Sequence, residues 1–596
     1  MNLFTQLTNL QLNNKLAFID NYLSDHNSAD SSILDANANI ANKNVATLAQ
    51  ELNKDINLQL SRSLMFREIE NNFGIELAHE YIRQLNSHEI YKHDETHPFY
   101  PYCASITMYP LLLNGLTTLG GESLAPKHLD SFCGSFVNLV FAISSQFAGA
   151  CGTPEFLLYF DYFARRDYGD NYLETHTQQI NNHLQHVVYA LNQPAAARGY
   201  QSIFWNISVF DQYFMDSLFG EFIFPDGSKP DFRLVGKLQE FFLQWFNNER
   251  NNAILTFPVV TAAMLTKDSQ PRDEQFALMC ADEMASGNSF FIYMSPTADS
   301  LSSCCRLRNE MVDNTFSNTS GVGGVATGSI NVITLNMNRL IQDGRDLALE
   351  VQKIHKYHVA YRKIIERFLA CDLLPVYKAG YVSLNKQYLT IGINGLLEAA
   401  ESIEISPVTN LEQYIEFVQG QLKIIYDENK LASHKYGYLF NTELVPAENL
   451  GVKNAKWDSE SGYMVKRNCY NSYLYPVEND QINVIDKFML HGKTCCQYLD
   501  GGSAVHLNTD GYLTSQGYYK LFQLAAKVGC NYWATNVKVT YCCTCHKIYK
   551  LTTTNCHYCG SSHVKYATRV IGYLKLIDNF SSARRDEESL RYYHII

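Results

Sequence analysis

Long uninterrupted apolar runs are missing from this 596-residue sequence. The two most apolar stretches, 103–121 and 136–152, are broken by Asn114 and by Ser144, Ser145 and Gln146, so neither offers the roughly 20 apolar residues that cross a bilayer. The opening, MNLFTQLTNLQLNNK, lacks a basic segment followed by an apolar one, and a soluble, cytoplasmic chain with no membrane partner is expected. Basic charge is also short. Lys and Arg number 48 against 60 Asp and Glu, a formal net charge of −12. Duplex binding rests on neutralising phosphates with clustered cations, so no direct nucleic-acid binding is expected. Low-complexity tracts and repeats of solenoid period are absent as well.

What remains is the composition of a large globular enzyme, 46% hydrophobic, 13% aromatic and 18% charged, with room for more than one structural unit. From 44 to 90 the pattern is helical, with Leu48, Leu52, Ile56 and Leu60 at four-residue steps and Gly74 as a break. From 97 to 531, helical segments alternate with short apolar runs such as YCASITMY, NAILTFPVV and NVITLN, which favours an α/β domain. The clearest helix follows Gly344, where Leu347, Val351, Ile354, Tyr361, Ile365 and Phe368 share one face suited to packing outside a sheet. The stretch 317–329 carries four glycines and reads as a tight or mobile loop, or as a plain linker.

Sixteen cysteines in a chain of this kind point to a reducing compartment, where thiols serve as ligands, nucleophiles or redox groups. Cys542, Cys545, Cys556 and Cys559 form C-x2-C, ten residues, C-x2-C. Two such knuckles converge four thiolates on one cation, and tetrahedral sulfur coordination suits a closed structural zinc site. Cys543 offers a second register for the first knuckle, but one that breaks the two-residue spacer. The adjacent Cys495 and Cys496 read as core packing.

Just after this ribbon, Arg569-Val570-Ile571-Gly572-Tyr573-Leu574, followed by Asn579 and a polar tail with Arg584, resembles the radical-bearing loop of glycyl radical enzymes. Alone, Gly572 would read as a tight turn. Four further segments resemble, in chain order, the class III anaerobic ribonucleotide reductases. They are Asn37-Ala38-Asn39, HPFYPYC ending in Cys103, Cys304-Cys305-Arg306-Leu307 with the glycine-rich stretch and Val332-Ile333-Thr334-Leu335-Asn336, and Pro446-Ala447-Glu448-Asn449.

The resemblance implies an α/β fold: a ten-stranded α/β barrel of two five-stranded halves with a finger loop through its centre. It divides the chain into an N-terminal helical region (1–96), the barrel (97–535, finger near 300–336), the four-cysteine zinc ribbon (536–565), and the glycyl radical loop and tail (566–596). It implies reduction of ribonucleoside triphosphates to deoxyribonucleoside triphosphates, with formate as reductant and ATP or deoxynucleotides as allosteric effectors. A separate radical-SAM iron–sulfur enzyme would install the radical, and the usual assembly is a homodimer. Gly572 would store the radical. Cys305, with Cys304 as fallback, would be the finger thiyl that removes the 3′-hydrogen, Cys103 the opposing thiol, and Glu448 a general base at the 3′-hydroxyl. Asn336 would orient substrate.

Each role has a plainer rival. Cys103 in an apolar strand could be inert packing, Glu448 a helix-terminal charge, and Asn336 the polar close of a strand. Many members also begin with a nucleotide-binding cone opening on a basic VxKRDG-like motif, and nothing like it precedes Asn37, a departure that leaves control of overall activity by ATP and dATP open. The ribbon spacer is short beside those of some members. Two other functions fit parts of the pattern. Another glycyl radical enzyme, a formate acetyltransferase or a lyase, would share the RVxGY loop but not the ribbon. A zinc-ribbon replication protein would share the ribbon but not the acidic balance.

Overall fold

The structure is a computed structural model that describes residues 7–24, 44–194, 202–298, 300–302, 308–310, 326–445, 449–569 and 574–595. Its N-terminal part is helical, with α1 (Asn9–Ser24), α2 (Val45–Phe73) and α3 (Ile75–Asn86). Asn44 caps α2 by accepting from the Ala46 and Thr47 amides while the Thr47 hydroxyl accepts from the Asn44 amide. Gly74, at φ 95°, makes the expected break. The leucine stripe is not the buried face, because Ile56 and Leu60 are exposed. The buried residues are Thr47, Glu51, Lys54, Ser61, Met65, Glu68 and Ile69 instead, on a helix that packs against α1, α3 and α4 (Leu347–Ala370), with the Thr47 hydroxyl hydrogen-bonded to that of Tyr22 in α1 (2.8 Å). Part of the stripe, Leu52 and Ile56, lines one cavity together with Phe18 of α1.

Ten strands build the barrel. The first half is β1 (Cys103–Ser105), β2 (Cys151–Gly152), β3 (Trp205–Phe210), β4 (Val259–Lys267) and β5 (Phe291–Ser295), parallel and in sequential order. The second half is β6 (Thr327–Asn336), β7 (Gln387–Asn394), β8 (Leu439–Leu444), β9 (Val505–Thr509) and β10 (Tyr532–Val537). Here β6, β7 and β8 are parallel neighbours, as are β9 and β10. The halves meet antiparallel at two seams, β6 on β1 and β10 on β5. Between β8 and β9 the ring closes at a parallel bridge of Glu443 with Gly502, where the Leu444 amide donates to the Gly502 carbonyl (3.0 Å) and the Gly501 amide to the Thr442 carbonyl (2.8 Å). This is the barrel of two five-stranded halves implied by the sequence.

The strands are nearly continuous buried runs, such as TGSINVITLN in β6 and VVTAAML in β4, as expected where parallel strands are covered on both faces. Helix α4 covers β6 from outside through Val351, Ile354 and Ile365. Beyond the barrel, β11 (Val539–Cys542), β12 (Ile548–Tyr549), β13 (Val564–Arg569) and β14 (Leu574–Leu576) form a separate antiparallel sheet in the order β12-β11-β13-β14. Helix α5 (Leu450–Glu460) follows β8, and α6 (Ser582–Leu590) leads into the C-terminal tail. Among the described residues, no helix is long and apolar enough to cross a membrane.

Candidate active site

Cys103 begins β1 and is 2% exposed, packed with Ala150, Tyr102 and Phe204. Its carbonyl accepts from Gln387 Nε2 (3.1 Å), whose own Oε1 accepts from the Tyr377 hydroxyl (2.6 Å). Opposite it in β6 stands Ser329, next to Gly328 at φ 148°, where a Cβ would come within 2.3 Å of the Cys103 carbonyl oxygen. The seam can close this tightly only over a glycine.

The chain from β5 to β6 has a topological task. In the ring, β5 sits at the seam with β10 and β6 at the opposite seam with β1, so the intervening segment joins strands on opposite sides of the ring. Cys304 and Cys305 belong to that segment and lie outside the described residues, as do Glu448 and Gly572. The segment's ends are at one mouth of the barrel, after Ser295 of β5 and before Thr327, which pairs with Ser105 at the end of β1.

The flanks of 570–573 are at the other mouth. Arg569 is buried, and its Nε and Nη2 donate to the Ser289 hydroxyl (3.2 and 2.9 Å) just ahead of β5, with the guanidinium over the Phe291 ring. Its amide donates to Asn536 Oδ1 in β10 (3.1 Å), and its carbonyl accepts from Arg591 Nη1 (2.8 Å). On the far side, the Leu574 carbonyl accepts from the Thr256 hydroxyl (3.3 Å). The tail after Arg591 is itself laced to the barrel, Tyr592 to Val477 and His594 to Asn508 and Asp510. Both ends of the short loop are therefore fixed to the barrel rim.

The four knuckle cysteines converge, their sulfurs all within 4.8 Å of one another, and Cys543 does not join them. Cys542 to Cys559 and Cys545 to Cys556 are each 3.6 Å apart, close to the roughly 3.8 Å edge of a tetrahedron with metal–sulfur bonds of about 2.3 Å. Amides of Cys545 and Thr544 point at Cys542 Sγ, and the Tyr558 amide at Cys556 Sγ. The Cys545 and Thr544 amides lower the Cys542 thiol, while contact with the neighbouring thiols raises Cys559, so in the absence of a cation the cluster shares its protons and its convergence is what suits a metal. The residues present fit a tetrahedral metal ion.

Residues 51–594 match the family described as Anaerobic ribonucleoside-triphosphate reductase. The chain belongs to that family. The reductase is thus an oxidoreductase that converts ribonucleoside triphosphates to 2′-deoxyribonucleoside triphosphates. It is 26% identical to a solved structure described as an anaerobic ribonucleotide reductase, with a TM-score of 0.85 over 98% of this chain and 94% of that one. The Thermotoga maritima anaerobic ribonucleotide reductase in complex with dATP and CTP is 26% identical, with a TM-score of 0.82 over 98% of this chain and 100% of that one. The same Thermotoga maritima enzyme with glycerol in its active site is 27% identical, with a TM-score of 0.84 over 97% and 94%. No curated protein matches the reductase by sequence.

Asn336 ends β6, and its side chain is engaged within the fold of the reductase. Its Oδ1 caps the helix Met337–Gln342 at the Arg339 amide, and its Nδ2 donates to Asp458 Oδ1 (2.8 Å) of α5. Asp458 is fully buried and also accepts from Arg339 Nε (3.0 Å), Asn338 Nδ2 (3.1 Å) and the Tyr470 hydroxyl (2.7 Å). This hub anchors the helix that starts just after Glu448. Sequence reasoning missed Asp458, Asn536, Ser289 and Arg591. An Asn near the end of an apolar strand, in YWATNV, was the one faint signal for Asn536; the other three look like ordinary surface polar residues in the sequence.

Proposed function

We propose that the reductase works by radical storage at one mouth of the barrel and hydrogen abstraction within it. Gly572 holds the stored glycyl radical. It takes a hydrogen atom from Cys305, leaving a thiyl that removes the 3′-hydrogen of the ribose. Cys304 is the fallback for the thiyl. The 2′-hydroxyl leaves as water with a proton from Cys103, Glu448 acts as general base at the 3′-hydroxyl, and Asn336 contributes to substrate orientation through its helix cap. Formate supplies the two electrons, so that ribonucleotide, formate and a proton give deoxyribonucleotide, carbon dioxide and water.

The observation that carries this reading is the two-sided pinning of 570–573, by Asn536 and Arg591 on one flank and Thr256 on the other. A loop that must keep a radical away from water and oxygen needs that support. A zinc ion on the four cysteines braces the same sheet. A radical-SAM iron–sulfur enzyme generates the glycyl radical, the working assembly is a homodimer, and the setting is the reducing cytoplasm. The Thermotoga maritima enzyme with dATP bound in the specificity site supports deoxynucleotide effectors for this chain.

The test is electron paramagnetic resonance after anaerobic activation. Wild-type protein gives a glycyl doublet and, on exposure to air, loses a short C-terminal peptide beginning near Tyr573. Gly572→Ala protein folds and binds nucleotide but shows no signal, no turnover and no cleavage. Ribonucleotide reduction by Gly572→Ala would refute the assignment.

A further inference from the structure

A cavity of about 40 Å³ lies between the barrel and the cysteine ribbon. Its wall includes Arg250, Lys550, Arg569, Ser289, Asn536 and Tyr512. The three cations come from three different parts of the fold. Arg250 is the C-terminal cap of the barrel helix Phe232–Glu249, Lys550 follows β12 of the ribbon, and Arg569 ends the strand that enters the 570–573 loop.

Among the described residues, the charges of Arg250 and Lys550 are met by no carboxylate in an ion pair. Arg250 donates through Nη1 to the Ser289 carbonyl (2.9 Å), and its Nε is buried with no partner. Lys550 donates to the Asn247 carbonyl (3.1 Å) and side-chain oxygen (2.5 Å). These partners are neutral. The acid whose charge acts on Lys550 is Glu283, which is buried and itself held by Asn288 Nδ2 (3.3 Å). Burial, and then Arg569, pulls Arg250 down to about 9; burial, and then Arg250, pulls Lys550 down to about 8. Burial holds Arg569 at about 10. Like charges confined this way are costly unless an opposite charge joins them.

We propose that this cavity binds one small oxyanion, a carboxylate of the size of formate or hydrogen carbonate, between Arg250, Lys550 and Arg569. A volume of about 40 Å³ holds a few water molecules and excludes a nucleotide. A guanidinium whose Nε is buried without a partner, beside an ammonium, suits a small acceptor with two oxygens, one for each donor, better than a spherical ion. The lysine stem reaches the cavity only across Gly287, at φ 86°, where a Cβ would lie 2.7 Å from Lys550 Cδ. Because the three cations belong to the barrel, the ribbon and the foot of the loop, the anion ties those parts together. Binding there needs neither the radical nor turnover.

The experiment uses the full-length, metal-loaded, unactivated protein, in sodium formate, sodium phosphate and sodium chloride at equal ionic strength. Thermal midpoint and the rate of tryptic cleavage in the ribbon are followed. Formate should raise the midpoint by a few degrees and slow cleavage several-fold in a saturable way, beyond chloride and phosphate. Lys550→Gln should lose this increment while keeping its metal. Should Lys550→Gln fold poorly, Arg250→Lys, which keeps charge but not the fork, should weaken the formate response several-fold. Equal responses to formate and chloride, a larger response to phosphate, or an undiminished formate response in the variant that folds would overturn the site. The last of these would mean that formate acts elsewhere on the chain.

Discussion

Glu155 sits between β2 and the helix Phe156–Tyr168, fully buried, with the Met108 amide (2.9 Å) and the Thr107 hydroxyl (3.3 and 3.2 Å) as donors. Among the described residues no cation pairs with it, and burial lifts its carboxyl from 4.5 to about 7 despite those donors. Asp211, similarly buried at the end of β3, is also raised to about 7. The sign of the linkage follows. Between pH 4.5 and 7 the folded protein keeps the Glu155 proton and the unfolded chain releases it, so stability falls as pH rises through that window and levels off above it. A slope of up to about 1.4 kcal/mol per pH unit is the ceiling for one group. Glu155→Gln should remove this contribution, so that its melting temperature, measured against wild type from pH 5 to 8, gains on wild type as pH rises. Parallel curves for the two proteins would show that Glu155 does not titrate as described.

The ribbon sheet is small, and among the described residues its apolar packing amounts to Val539, Ile548 and Ala567 with a few half-buried neighbours. A core of that size does not hold four strands, whereas a structural zinc site contributes on the order of 10 kcal/mol or more. Cys556→Ser should therefore lose the metal, measured by elemental analysis, and expose the chain around 570–573 to protease while the barrel stays folded; full metal content in the variant would remove the site. This element was legible in the sequence because knuckle spacing is local. So were the break at Gly74 and helix α4, whose burial follows a simple period. The α2 stripe misled because one partner helix, α4, comes from residues beyond 340, and periodicity does not say which face a distant helix will choose. Arg591 and Asp458 were illegible for the same reason. Their partners, Arg569 and Asn336, are remote in sequence, and a buried charge looks like a surface one until its neighbours are known.

At the scale of the whole molecule, the flanks of the two segments proposed to carry the thiyl and the stored radical lie at opposite mouths of the barrel, Ser295 and Thr327 at one and Ser289 and Asn536 at the other. Storage and chemistry are then separable. Cys305→Ser should accept activation and give the same glycyl doublet as wild type, yet form no deoxynucleotide. A Cys305→Ser enzyme that turns over, with Cys304→Ser inactive, would move the thiyl to its neighbour. The ring order has a further consequence for how the chain is made. Strand β1 finds its seam partner β6 midway along the sequence, but β5 waits for β10, which is the last barrel strand to leave the ribosome. At about 5–20 residues per second, the open edge of β5 stands bare for on the order of 10–50 s during synthesis. An unpaired edge is an aggregation template, so the nascent half-barrel is a natural client for chaperones until its second half arrives.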